Sequence, residues 1–330
     1  MSPEPVRPVD GAFPTEPRAE GREPSAVLPP RLRQGDVVRF VSPASTPARS
    51  EVERSIRYLT GLGIECQIAP HAFDEHGYLA GRDEHRLGDI NDAIRDPTVK
   101  AIVATRGGKG AYRIADGLDF DAMRRSPKLV IGFSEITVLH MAFLARCGVA
   151  AVHGACWDPN AFGNSSAASF HKAVFTTEAV TIQTDPAEPT AELTTRGQAT
   201  GRLIGGNQDS IATAAGWALP TFDDAILLLE SVNMRLGHID RQLTMLKNAG
   251  HLDGLVGIAV GQYTDCGPDD STRGSWTEVD VLRDRLGRFG VPILGGLPIG
   301  HGSNPVAVPI GTIAELNADT GVLCVAAAVS

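Results

Sequence analysis

Between Val37 and Cys147 the chain alternates short apolar runs with stretches of helical spacing, and this alternation restricts the fold more than any other feature. "VVRFV" ends in Ser and Pro, as a buried strand ends in a loop. "ARSEVERSIRYLTGLG" follows as a helix closed by Gly61 and Gly63, and "IECQIAP" is the next strand. "DEHRLGDINDAIRD" places Leu87, Ile90 and Ile94 at helical spacing and is stopped by Pro97. "KAIVAT" then runs into "RGGKG"; after the helical "AYRIADGLDFDAMRRS" come the strand "KLVIGF" and the helix "EITVLHMAFLARCG". Strands alternating with helices predict an α/β fold, a parallel sheet covered on both faces. Active sites in such sheets lie beyond the carboxyl ends of strands, near a switch in strand order. The two strand ends that qualify are "RGGKG" and "GFSE".

The flanking regions read differently. Residues 1–34 are rich in Pro, Glu and Arg and lack the apolar core of a signal peptide, so a disordered leader is expected. Residues 35–157 form the first domain, and 158–195, rich in Ser, Thr, Ala and Pro, read as a linker. Residues 196–330 alternate short β-like runs ("AILLLES", "GIAVGQY", "VLCVAAA") with two helical stretches, "HIDRQLTMLKNAG" and "TEVDVLRDRLGRFG", and read as a separate mixed or barrel-like domain.

Charge and cysteine usage exclude several classes. The chain carries 30 basic and 39 acidic residues, a net charge of −9, with no basic stripe for nucleic acid or an acidic membrane surface. Five scattered cysteines without CxxC spacing argue against a disulfide framework or a thiolate zinc site. No apolar run nears the about 20 residues that cross a bilayer, so a cytoplasmic protein is expected.

Within "VIGFSEITVLH", Ser134 reads two ways. A serine before a helix caps its first turn. Gly132, two residues earlier, also permits the tight strand-to-helix turn that presents a nucleophilic serine, although Ile136 stands where that elbow has its second glycine. "TRGGKGAYRI" is likewise either a turn for close packing or a loop whose amides, with Arg106 and Lys109, meet a carboxylate or oxyanion. It lacks the frame of a phosphate loop, since Gly110 follows Lys109. Among the histidines, His71, His76 and His85 lie in loop or polar contexts that face solvent. His140 falls six residues past Ser134, nearly opposite it on the helix. His301, in "GGLPIGHGSNP", sits in a small-residue loop that can hold an imidazole. Glu230 follows an apolar run, facing water or buried beside a partner.

Taken in order, these segments resemble the LD-carboxypeptidase family of serine peptidases, which includes the microcin C immunity peptidases. The resemblance runs from about Leu32 to Val325 through "LRQGDVVRFVSPAS", the stretch ending in "TRGGKGAYRI", "IGFSEITVLH", "GRLIGGNQDSI", "LLLESVNMRLGHIDRQLTMLKNAG" and "LPIGHG". It implies a Rossmann-like N-terminal domain with a C-terminal β-barrel-like domain, commonly as a homodimer. It implies Ser134 as nucleophile, His301 as general base and Glu230 as its orienting acid. Backbone amides near Gly107 and at Glu135 would meet the oxyanion, and Arg106, Gly108 and Asn207 would contact substrate. No metal or organic cofactor is implied. The substrate would be a muropeptide or other small peptide, and the reaction release of the terminal D-alanine of a murein tetrapeptide. The same site could serve a self-immunity or tailoring hydrolase or acyltransferase, or hold a peptide without turning it over. Ser231 and Met234 stand where the family's acid segment commonly has acids, reducing charge on that wall.

Overall fold

The computed structural model describes residues 26–268 and 276–330. The first half contains β1 (Val37–Val41), α1 (Arg49–Gly61), β2 (Glu65–Ile68), α2 (Asp83–Arg95), β3 (Val99–Ala104), α3 (Phe120–Arg125), β4 (Leu129–Gly132), α4 (Thr137–Cys147), β5 (Ala151–His153) and α5 (Pro159–Phe175). The second contains β6 (Val180–Gln183), β7 (Gln198–Asn207), α6 (Gln208–Ala214), β8 (Ala225–Val232), α7 (Leu236–Asn248), β9 (Gly257–Thr264), α8 (Glu278–Leu286), β10 (Ile293–Leu294), β11 (Val308–Ile310), β12 (Ile313–Asn317) and β13 (Val322–Val325). No helix among the described residues is long and apolar enough to cross a membrane.

The first sheet has six strands in the order β11-β5-β4-β3-β1-β2. β1 to β5 pair in parallel, as the alternation predicts. The chain steps from β1 to β2 on one side and then to β3 on the other, so the strand order reverses between β1 and β3. The crevice beyond this reversal is where such folds place ligands. The sixth strand departs from expectation: β11 comes from the C-terminal half and pairs antiparallel with β5, Val308 opposite His153. The sheet is therefore mixed, and the two halves of the chain are interleaved through it.

The second sheet has seven strands in the order β10-β9-β8-β7-β12-β13-β6. β7 to β10 are parallel, and β12, β13 and β6 add antiparallel. Its terminal strands, β10 and β6, do not pair with each other, so among the described residues this is an open mixed sheet, with no closed barrel. β8 and β9 are buried along nearly their whole length, with α6 packed on β8 and the 3-10 turn Pro189–Leu193 on β9; this is why "AILLLES" is continuously apolar instead of alternating.

Two further expectations need correction. The stretch 158–195 is not a bare connection: it carries α5, kinked at Gly163, and β6, the edge strand of the second sheet. The expected disordered leader falls largely on residues 1–25, outside the described residues, but 26–34 are bound: Val27 N donates to Gly148 O (2.9 Å), Arg31 N to Ser330 O (3.1 Å), and Leu32 is buried. One apolar cluster runs from Leu32 through both sheets to Val329. α4 lies inside the molecule, with every residue from Thr137 to Leu144 buried, and its first turn touches β7. A helix apolar all round requires such cover.

Candidate active site

Ser134 leaves β4 in a left-handed conformation, φ 61°. An L-residue held there costs about 1–2 kcal/mol, strain that a fold retains where side-chain direction matters. Phe133 before it is extended, Ser134–Ile136 form one 3-10 turn, and α4 follows. Neither helical start has a side-chain cap bond, so Ser134 is not the cap that one reading of the sequence made it. The turn tolerates Ile136 because Gly132 yields space: a Cβ on Gly132 would lie 2.6 Å from Ile136 Cγ2.

The loop after β3 closes over this serine. A Cβ on Gly107 would lie 2.8 Å from Ser134 Cβ, 3.1 Å from its Oγ and 3.3 Å from the backbone nitrogen of Glu135. Ser45 fastens the loop to the end of β1: its N donates to Gly107 O (3.2 Å), and its Oγ accepts from Lys109 N (3.1 Å). Gly108 has φ +102°, which favours glycine, and any side chain there would strike Ser45. The Glu135 side chain turns away from the serine and is buried, with Oε1 accepting from Gly110 N (3.0 Å). Burial pushes its carboxyl up, while the Gly110 amide and Lys109 pull it down. The residues expected to meet an oxyanion, Gly107 and Glu135, are thus beside the serine.

On the opposite wall, Glu230 is fully buried near the end of β8, and its Oε2 lies 2.7 Å from His301 Nδ1. His301 itself is partly exposed on the loop before β11. The loop is built for it. Gly300 has φ +140°, and a Cβ there would press within 3.0 Å of Glu230 Oε2. Gly302 N donates to Gln262 Oε1 (2.7 Å), and Gln262 Nε2 donates to Glu188 Oε1 (2.6 Å). The ring of Phe133, adjacent to Ser134, lies 4.9 Å from that of His301, centroid to centroid. Ser134 and His301 therefore share a cleft of about 790 Å³.

A histidine that the sequence reading passed over lies behind this pair. His153, the last residue of β5, is fully buried, with Nε2 3.9 Å from Glu230 Oε1. Burial pushes its imidazole down to about 4, although Glu230 pulls the other way, so it is neutral at physiological pH. Nothing local in the sequence marks it; what matters is its register opposite Gly132 and Val308.

The expected substrate contacts divide. Arg106 and Gly108 are exposed in the cleft, and Arg106 Nη1 donates to Thr46 O (3.2 Å). Asn207 also lines it but is buried: its Oδ1 caps α6 by accepting from Ser210 N (3.3 Å), and its N donates to Thr137 Oγ1 (3.0 Å). Lys109 reaches across to pair with Asp209 of the second half, and Gln242 Nε2 donates to the other Asp209 oxygen (2.7 Å). Ser231 and Met234 line the wall as the sequence implied, while Glu51, Arg54 and His238 bring charge or titratable groups that it did not flag.

Known proteins resemble this chain along most of its length. Models of the LD-carboxypeptidase N-terminal and C-terminal domains match residues 38–154 and 200–316. The chain is 34% identical to the "Probable murein peptide carboxypeptidase" of Bacillus subtilis, over 88% of this chain and 91% of that one. It is 31% identical to the murein tetrapeptide carboxypeptidase of Pseudomonas aeruginosa, over 84% and 92%. A solved structure of the microcin C7 self-immunity protein in its wild-type apo state matches with a TM-score of 0.80 over 92% of this chain and 100% of that one, at 22% identity, a likeness of fold.

Proposed function

The chain belongs to the LD-carboxypeptidase family and is a serine-type carboxypeptidase, and from that premise we propose that it releases the terminal D-alanine of a murein tetrapeptide through Ser134, His301 and Glu230. The observation that carries this reading is the 2.7 Å pairing of His301 with a fully buried Glu230 on the cleft that also holds Ser134 in its left-handed turn. With Nδ1 engaged by Glu230, the other ring nitrogen, Nε2, is left to take the serine proton. Ser134 Oγ then bonds to the scissile carbonyl carbon, and the oxyanion is met by amides at the Gly107 turn and Glu135. The C–N bond breaks as His301 returns the proton to the leaving amine. Water, deprotonated by His301, resolves the acyl-enzyme by the reverse path. No step calls for a metal or organic cofactor. Arg54 and Arg106 supply positive charge for a terminal carboxylate, and Glu51 negative charge for an amine, as a zwitterionic peptide requires.

Mass spectrometry of products from an L,D-tetrapeptide tests the reading. Wild type is expected to release alanine, and Ser134→Ala to lose on the order of 10⁶ in turnover. Substantial turnover by the folded variant would refute the mechanism. Ser231 and Met234 favour a second substrate class, an antibiotic-like peptide or acyl-nucleotide amide, because they leave one wall short of acids. Turnover of such conjugates in preference to the tetrapeptide would select it. A homodimer and a cytoplasmic setting belong to the same proposal and are read from sedimentation and cell fractionation.

A further inference from the structure

Away from the cleft, the structure gathers three side chains that no step above uses. His71 and Asp74 stand on the turn after β2, and His85 in the first turn of α2. Asp74 Oδ2 lies 2.9 Å from His71 Nδ1 and 3.3 Å from His85 Nδ1, and the three donor atoms all fall within 4.8 Å of one another. The imidazoles stack at 3.9 Å between centroids, 22° from parallel, with both Nδ1 atoms turned toward the same carboxylate oxygen. A zinc ion with tetrahedral bonds of about 2.0–2.1 Å separates its ligand atoms by about 3.3 Å. Two of the spacings already present, 2.9 and 3.3 Å, are close to an edge of such a tetrahedron.

The ligands are braced from behind. His71 N donates to Asp89 Oδ2 (3.0 Å) on α2, and Asp74 N donates to His71 O (3.1 Å). Asp74 O accepts from Thr46 Oγ1 (2.8 Å). Gly81, at φ +87°, lies against Asp74 so closely that a Cβ there would be 2.8 Å from Asp74 Cβ and 3.3 Å from Oδ2. Only glycine leaves the carboxylate where it is. The side chains are 36%, 39% and 43% exposed for His71, Asp74 and His85, enough for an ion to enter and for water to fill a fourth position. Two imidazoles beside one carboxylate make a His₂Asp donor set, which suits zinc and similar borderline divalent ions and does not suit magnesium or calcium.

We propose that His71, Asp74 and His85 form a binding site for one zinc ion per chain, tying the turn after β2 to the start of α2. None of these residues lines the cleft. The site's role is to stabilise this corner, and it stands whether or not the catalytic reading holds. The scattered cysteines argue against a thiolate zinc site and leave this one untouched.

The test is equilibrium dialysis of the full, untagged chain against zinc chloride at pH 7.5, with bound metal counted by mass spectrometry and thermal melting followed in parallel. Wild type is expected to hold one zinc per chain and to melt higher with zinc than with a chelator. His85→Ala and Asp74→Asn, at partly exposed positions where folding persists, should weaken binding at least tenfold and lose the zinc-dependent rise in Tm. His76→Ala, an exposed neighbour outside the cluster, should bind as wild type. Absence of bound zinc in the folded wild type, or undiminished binding in both His85→Ala and Asp74→Asn, would overturn the proposal.

Discussion

Replacing Gly107 with alanine separates the chemistry of the cleft from the stability of the fold. The added methyl carbon would sit 2.8 Å from Ser134 Cβ, 3.1 Å from Ser134 Oγ and 3.3 Å from Glu135 N. Carbon atoms in ordinary contact are about 3.5–4.0 Å apart, so the serine or its facing loop must retreat by roughly 1 Å. A misplacement of that size costs about 10²-fold in rate. Loss of one oxyanion donor costs about 10²–10³-fold, or about 2.7–4 kcal/mol in the barrier. The fold should tolerate the change. Gly107 lies outside the left-handed region, and restricting the unfolded chain returns about 0.4–1 kcal/mol against an overpacking cost of about 1–3 kcal/mol. The expected result is a fall in kcat/KM of at least about 10²-fold on the L,D-tetrapeptide with Tm lowered by only a few degrees. Gly88→Ala is the control: its Cβ meets nothing within 4 Å inside α2, so it should gain about 0.5–1 kcal/mol and leave kcat/KM unchanged. If folded Gly107→Ala turned over substrate within about threefold of wild type, the placement of serine and oxyanion at this contact would be wrong.

Two further perturbations probe the opposite wall and the interior. Glu230→Gln keeps the shape of a fully buried side chain but presents a neutral group to His301 Nδ1, 2.7 Å away. A loss of about 10³–10⁴ in kcat with KM nearly unchanged is expected, and kcat within tenfold of wild type would sink the orienting role. His140 is fully buried in α4, and burial pushes its imidazole from 6.5 down to about 3. The folded chain holds it neutral while the unfolded chain protonates it below about pH 6.5, so its contribution is complete above that pH and is lost as the pH falls toward about 3. At pH 5 this amounts to about 2 kcal/mol. Urea titrations of His140→Leu should therefore show a stability loss between pH 7.5 and 5 smaller than wild type by about that much; an unchanged pH slope would remove His140 from the account of acid sensitivity.

The parallel core of the first sheet was legible because β4 is buried on both faces and β1 and β3 are buried over most of their length, and largely apolar runs between helices have few other uses. β11 was not. A three-residue strand has no periodicity of its own, and its pairing with β5 depends on a partner about 155 residues away in sequence. The barrel expectation failed for a related reason: short runs announce strands, whereas closure depends on whether β10 meets β6, and nothing local encodes that. From its local residues alone Ser134 reads two ways, because a cap and an elbow use the same residue types. Its left-handed φ of 61° is a property of the backbone, which those residue types do not announce.

His153 shows how such non-local placement bears on the site. β4 and β5 set Gly132 opposite His153, and β7 and β8 set Asn207 opposite Glu230, so the carboxyl ends of both sheets converge. What lets them approach is Gly206, just before Asn207, with φ +138°: a Cβ there would lie 2.7 Å from Thr137 Oγ1 and 2.9 Å from His153 Nδ1. Any side chain would wedge the second sheet away from α4 and break the Thr137–Asn207 hydrogen bond. It would also carry Glu230, and with it His301, away from Ser134. The close approach of the two sheets behind the cleft thus depends on a glycine, at a position whose importance depends on pairings made far away in the chain.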